Sequence, residues 1–118
     1  MFKVGENNLL CTDVQASQAF YTDVLGFTVV GEEDGAVRLK KDGRFLLLLP
    51  VAKNGNPTQE YGPVAGLSFD LLVSDLASAI AYLKEKGVEF ARDWNPGDEP
   101  YAVIKDPDGV FIEVVQDD

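Results

Sequence analysis

The chain has 118 residues, 46% of them apolar and 25% charged, a composition that suits a soluble globular protein whose core needs no disulfide or structural metal. Twenty acidic against ten basic residues give a net charge of −10, which argues against nucleic acid or an anionic membrane surface as partner and suits a cationic ligand. With Cys11 as its one cysteine and no histidine, the chain can form no intrachain disulfide, no cysteine-based zinc site and no Ser-His-Asp or Cys-His catalytic group.

The first residues, Met1–Glu6, lack a basic stretch followed by an apolar one. The longest strongly apolar run, Phe45–Leu49, is far too short to cross a bilayer, so a cytoplasmic location is expected. A first strand is predicted over Val4–Cys11. Thr12 or Asp13 then caps a helix, with Gln15 placed as in a capping box, and Gly26 closes that helix after Leu25. Strands over Phe27–Glu33, Ala36–Lys41 and Arg44–Pro50 follow, separated by turns at Asp34-Gly35 and Asp42-Gly43. Residues 51–63, rich in Gly, Pro and Asn, read as a linker. Beyond it come a strand over Gly66–Val73 and a helix over Asp75–Lys86 that ends at Gly87. Leu76, Ala79, Ile80 and Leu83 place one apolar stripe on this helix. Strands over Val88–Arg92, Tyr101–Lys105 and Val110–Gln116 complete the chain.

The second half repeats the first. Asp13 and Asp75 open similar segments 62 residues apart, and Asp42 and Asp108 open another pair 66 apart, so the second copy carries a slightly longer loop. Each copy is a βαβββ unit of the α+β class, with its helix on one face of the sheet. In the opening strands Leu9 and Cys11, and Phe69, Leu71 and Val73, face the helices. Strand period sends Glu6 and Asn8, and Ser68 and Asp70, to the opposite face, and Glu113 away from Ile112 and Val114. That helix-free face is where a ligand is expected.

Two segments carry a family resemblance. Asp13–Phe27 (DVQASQAFYTDVLGF) and Lys105–Glu113 (KDPDGVFIE) resemble the paired motifs of the vicinal oxygen chelate superfamily, the glyoxalase, bleomycin-resistance and extradiol-dioxygenase group. The resemblance implies one domain over 1–118, with modules at 2–50 and 64–116. Together they would form an eight-stranded, cup-shaped sheet with the helices outside. In the metal-dependent members a divalent ion is held by His or Glu from the first and last strand of each module. The matching positions here are Glu6, Leu47, Ser68 and Glu113. Leu47 has no donor atom, Ser68 is a poor ligand, and two carboxylates without imidazole suit Zn²⁺, Ni²⁺ or Fe²⁺ poorly, whereas Mn²⁺ or Mg²⁺ would accept oxygen alone. Asn8 or Asp70 could add an oxygen.

No resident cofactor is therefore expected. The resemblance points instead to a metal-independent small-molecule binder of the bleomycin-resistance type, an antibiotic-resistance function, working as a homodimer on a cationic ligand. The ligand-binding candidates are Asn8, Asp70, Trp94, Tyr101, Phe111 and Glu113, with Arg38 and Arg92 available to neutralise acids or hold an anionic group. The alternative is a lyase, isomerase or dioxygenase using a divalent metal on Glu6 and Glu113. No residue is assigned a catalytic role, although Glu113 or Asp70 could serve as a carboxylate base.

Overall fold

Two Asp-Gly pairs turn the chain as their chemistry requires. In the computed structural model, which describes residues 1–56 and 58–117, Asp34 and Gly35 have φ of 51° and 82°, and Asp42 and Gly43 have φ of 51° and 76°. Two consecutive positive φ values make a type I′ turn, whose twist matches that of the strands it joins. The hairpins they close are β2 (Thr28–Glu33) with β3 (Ala36–Lys41), and β3 with β4 (Arg44–Leu49). The first strand, β1 (Asn7–Leu10), lies parallel to β4, and the sheet order is β1-β4-β3-β2. The first helix, α1 (Val14–Ala19), joins β1 to the hairpins and continues as a π-helical turn over Phe20–Val24.

The chain divides into two compact units, Met1–Gly55 and Asn56–Asp118, with the division inside the predicted linker. The second unit holds β5 (Phe69–Val73), α2 (Leu76–Glu85), β6 (Tyr101–Lys105) and β7 (Phe111–Gln116). Its sheet order is β5-β7-β6, with β5 parallel and β6 antiparallel to β7. The same strand–helix–hairpin logic is thus used twice.

Three expectations need adjustment. The strand predicted over Val88–Arg92 shortens to one bridge, Phe90 with Ile104, so among the described residues the sheets have four and three strands rather than eight together. Two hydrogen bonds hold that bridge, Lys105 N–H to the Glu89 carbonyl (2.9 Å) and Ala91 N–H to the Val103 carbonyl (2.8 Å). Beyond them Pro96 has no N–H to donate and Gly97 turns at φ 100°. Next, β1 starts at Asn7, opposite Leu46, and β5 at Phe69, opposite Ile112, later than predicted although β4 and β7 themselves begin earlier, at Arg44 and Phe111. Finally, Asp13 is the N-cap of α1 and accepts from Ala16 N–H at 3.2 Å, so Gln15 lies one position short of a capping box.

Burial follows the strand period in β3, β4 and β7, whereas three consecutive residues of β6, Ala102, Val103 and Ile104, are all buried. In the first unit Leu9, Val37, Leu39, Leu46 and Leu48 are buried on the helix side, with Ser17 and Tyr21 set against them. In the second, Ile104, Ile112, Val114 and Ala102 are buried in the sheet, and Leu76, Ile80 and Leu83 form the buried stripe of α2. Each such large side chain contributes about 1.5–3 kcal/mol by leaving water. Among the described residues no helix is long and apolar enough to cross a membrane.

Candidate functional site

The residues of the two family motifs divide sharply between structure and open surface. Asp13 caps α1, and Ser17 and Tyr21 are fully buried. Leu25 ends the π-helical turn, Gly26 follows at φ 83°, and the Phe27 ring meets Tyr21 edge-on at 5.6 Å. In the second motif Asp106 is buried, and its carboxylate accepts from the N–H groups of Asp108 and Val110, both at 2.9 Å, which shapes the β6–β7 turn. These positions serve capping and packing, although the buried Ser17 hydroxyl has no hydrogen-bond partner among the described residues. Glu113 is the exception.

Glu113 sits in β7 between buried Ile112 and Val114, so it projects from the face away from the core. Register then decides its neighbours. Asp70 of β5, exposed, and Val103 of β6, fully buried, lie directly opposite it, so the face is open on its β5 side, and the next row on the same face is Leu72, Val115 and Tyr101. The preceding row pairs Phe111 with Lys105. Four predicted residues, Asp70, Tyr101, Phe111 and Glu113, therefore share one face of one sheet. Asp70 and Glu113 stand on adjacent strands about 4.8 Å apart. Neither is paired with a cationic side chain among the described residues; Arg92 reaches Glu99 at 3.5 Å and Lys105 reaches Glu89 at 3.7 Å.

The first unit treats its acid differently. Asn8, Leu47 and Arg38 form one row across β1, β4 and β3, on the face away from Leu39 and Leu48. Arg38 grips the Glu6 carboxylate through two nitrogens, with Nη2–Oε1 at 2.8 Å, Nε–Oε1 at 3.1 Å and Nε–Oε2 at 3.3 Å. This fork is geometrically strong, yet both side chains are more than a third exposed, so it adds little stability. Its larger effect is to occupy Glu6. Arg92 is likewise engaged, stacked over the Tyr101 ring at 4.6 Å as well as reaching Glu99.

Trp94 is half-buried and held within its own loop. Its indole N–H donates to the Glu99 carbonyl at 2.9 Å, and Asn95 N–H is accepted by Asp98 at 2.7 Å, so the tryptophan is fastened to its own loop. Sequence reasoning missed the contribution of the linker. A recess of about 280 Å³ is lined by Gln59, Tyr61, Val64, Leu67, Ser68 and Phe111. The Tyr61 ring packs on Phe111 edge-to-face, centroids 5.4 Å apart at 87°. The available signal was an aromatic residue beside Gly62-Pro63 with apolar Val64 and Leu67 close behind, more apolar surface than a plain linker needs.

The donor set does not fit a resident metal within either unit. Leu47 offers no donor atom, the Glu6 oxygens are bound by Arg38, and among the described residues no three His, Cys, Asp or Glu gather in a metal-holding group.

Comparison with known proteins adds the family. Residues 3–114 match the model of the glyoxalase/bleomycin resistance protein/dioxygenase superfamily. The chain belongs to this superfamily. Lactoylglutathione lyase of Schizosaccharomyces pombe is 26% identical over 147 residues, covering 97% of this chain and 47% of its own length. Catechol-2,3-dioxygenase of Bacillus subtilis is 31% identical over 121 residues, covering 97% of this chain and 41% of its own. The chain thus spans less than half the length of these curated relatives. Among solved structures, TnmS3, an antibiotic binding protein from Streptomyces sp. CB03234, superposes with a TM-score of 0.66 at 24% identity, covering 100% of this chain and 99% of that one. At that identity the likeness shows the fold alone.

Proposed function

We propose that this superfamily member is a metal-independent binding protein of the bleomycin-resistance type that takes a cationic small molecule. The observation that carries this reading is the fate of the carboxylates. Glu6 is consumed by Arg38, whereas Asp70 and Glu113 stand together on an open sheet face with apolar Leu72, Val115 and Phe111 around them. Two adjacent carboxylates repel each other, and a ligand cation between them relieves that repulsion while apolar neighbours hold its body. The net charge of −10 draws such a ligand in. An antibiotic binding protein of the same fold supports the reading. A cytoplasmic homodimer is the expected working form.

A second reading, a divalent-metal lyase, isomerase or dioxygenase using Glu6 and Glu113, is favoured by the two sequence relatives, both enzymes by name. One experiment separates the two. Chelator-treated protein is titrated with Mn²⁺, Ni²⁺, Zn²⁺, Fe²⁺ and Mg²⁺ in a thermal-shift assay beside Glu113→Ala. A true site at about 100 times its dissociation constant adds roughly 2.7 kcal/mol, a melting shift on the order of 10 °C. The binder reading expects no saturable shift that depends on Glu113. A saturable shift lost in Glu113→Ala overturns it in favour of the metal enzyme.

A further inference from the structure

The linker of the second unit is built against the sheet, not strung across solvent. Its start is tied to the β6–β7 turn by Asn56 N–H donating to the Asp108 carbonyl at 2.6 Å. Its middle is held by Tyr61 packed on Phe111. Between these fixed points and β5 lies the recess of about 280 Å³. That is close to the lower end, about 300 Å³, of pockets that hold whole small molecules, so it suits a ring system. Tyr61 and Phe111 stand at 87° to each other, which leaves aromatic surface for a third ring, while Val64 and Leu67 remain exposed beside them. Gln59 and Ser68 supply polar atoms to the same lining.

The recess also has a fixed relation to the carboxylates. Phe111 precedes Glu113 by two residues in β7, and Ser68, just ahead of β5, precedes Asp70 by two. Side chains two apart on a strand leave the same face about 7 Å from each other. The geometry points to a ligand of two parts, a flat aromatic ring seated in the linker recess against Tyr61 and Phe111, and an ammonium or guanidinium group one short spacer away on Asp70 and Glu113. This rests on the reading of the chain as a cation binder and adds the ligand class and the linker as the element that selects it.

Amide NMR titration of the intact chain with three probes tests it: tryptamine, which has both parts; hexylamine, which has only the cation; and indole-3-propionate, which has the ring with an anion. Tryptamine is expected to shift the amides of Tyr61, Gly62, Gly66, Ser68 and Glu113 with a Kd on the order of 1 mM. Hexylamine should bind at least about fivefold more weakly, and indole-3-propionate should leave these amides unmoved. Glu113→Gln and Tyr61→Ala should each weaken tryptamine by about five- to tenfold, about the loss of one good contact, and Tyr61→Phe should retain binding. If Tyr61→Ala lowers the melting temperature, Val64→Lys on an exposed side chain obstructs the recess without touching the aromatic pair, and must weaken tryptamine too. Tryptamine binding that ignores Tyr61→Ala and Val64→Lys, but needs Glu113, overturns the recess and leaves the cation-binder reading standing. Equal binding of all three probes, or no shift with tryptamine, overturns the two-part ligand, while the metal titration judges the binder reading separately.

Discussion

The two units run the same strand–helix–hairpin plan and spend their polar residues differently. In the first, the acid on the open face is neutralised from within, since Arg38 holds Glu6 in a fork. In the second, Asp70 and Glu113 stand side by side with no cationic side chain paired to them among the described residues. The helix caps differ in the same sense. Asp13 caps α1 with its own carboxylate, at 3.2 Å from Ala16 N. Its counterpart Asp75 accepts instead from the Ser78 hydroxyl at 2.6 Å, and the free Leu76 N–H of α2 is taken by Gln116 Oε1 of β7 at 2.9 Å. Gln116 completes the clamp by donating to the Ser74 carbonyl at 2.7 Å. A duplicated fold thus keeps its packing plan while its surface chemistry diverges, because the core must be filled in both copies and the open faces need not match.

The largest expected effect tests the shared part of that comparison. Leu48→Ala in the first unit and Ile112→Ala in the second each empty a fully buried position, and each should cost about 2–5 kcal/mol in urea unfolding. A loss below about 1 kcal/mol at either site would break the claim that both sheets bury equivalent rows. Next comes the cap that only the second unit uses: Gln116→Ala should cost about 1 kcal/mol, with faster exchange of the Leu76 amide as its local signature. Unchanged exchange there would remove Gln116 from the capping role.

Arg38→Ala makes the first open face resemble the second. Because both partners are partly exposed, stability should change by only about 0.2–1 kcal/mol, while the freed Glu6 gains the capacity to attract added cations. A loss of several kcal/mol would show that the fork supports the sheet instead of merely occupying Glu6. The smallest effect is on pH. The Ser78 hydroxyl, which donates to it, holds the Asp75 carboxyl below the usual aspartate range. A depressed folded-state pKa means the contribution is whole above the ordinary value and fades as pH falls through the lowered one. In Ser78→Ala the melting temperature should therefore show less decline in acid than in the unaltered chain, most of the difference appearing below about pH 4.

Much of this was written locally. The Asp-Gly turns, the Asp13 cap, Gly26 after the helix and the apolar stripe of α2 are each decided within a few residues. Free energies of capping and turn formation depend on neighbours in sequence, so a reader of the chain alone meets the same physics as the folded protein. Strand alternation likewise sent Asp70 and Glu113 to the open side, once Ile112 and Val114 were recognised as core. The limits of the strands were less legible. Val88–Arg92 has the composition of a strand, but a strand exists only where a partner offers hydrogen bonds, and β6 offers two here.

The chain by itself determined the repeated α+β plan, the acidic character that favours a cation, and the absence of imidazole and paired thiols from any site. Tertiary structure alone decided which acids remain free. Glu6 meets an arginine 32 residues away, Leu76 is capped by a glutamine 40 residues away, and Phe111 acquires Tyr61 of the linker as its neighbour. The reason is physical. Local preferences are set by the backbone torsions of adjacent residues, whereas the chemistry of a surface is set by side chains that only strand register and loop closure bring within a few ångströms of one another.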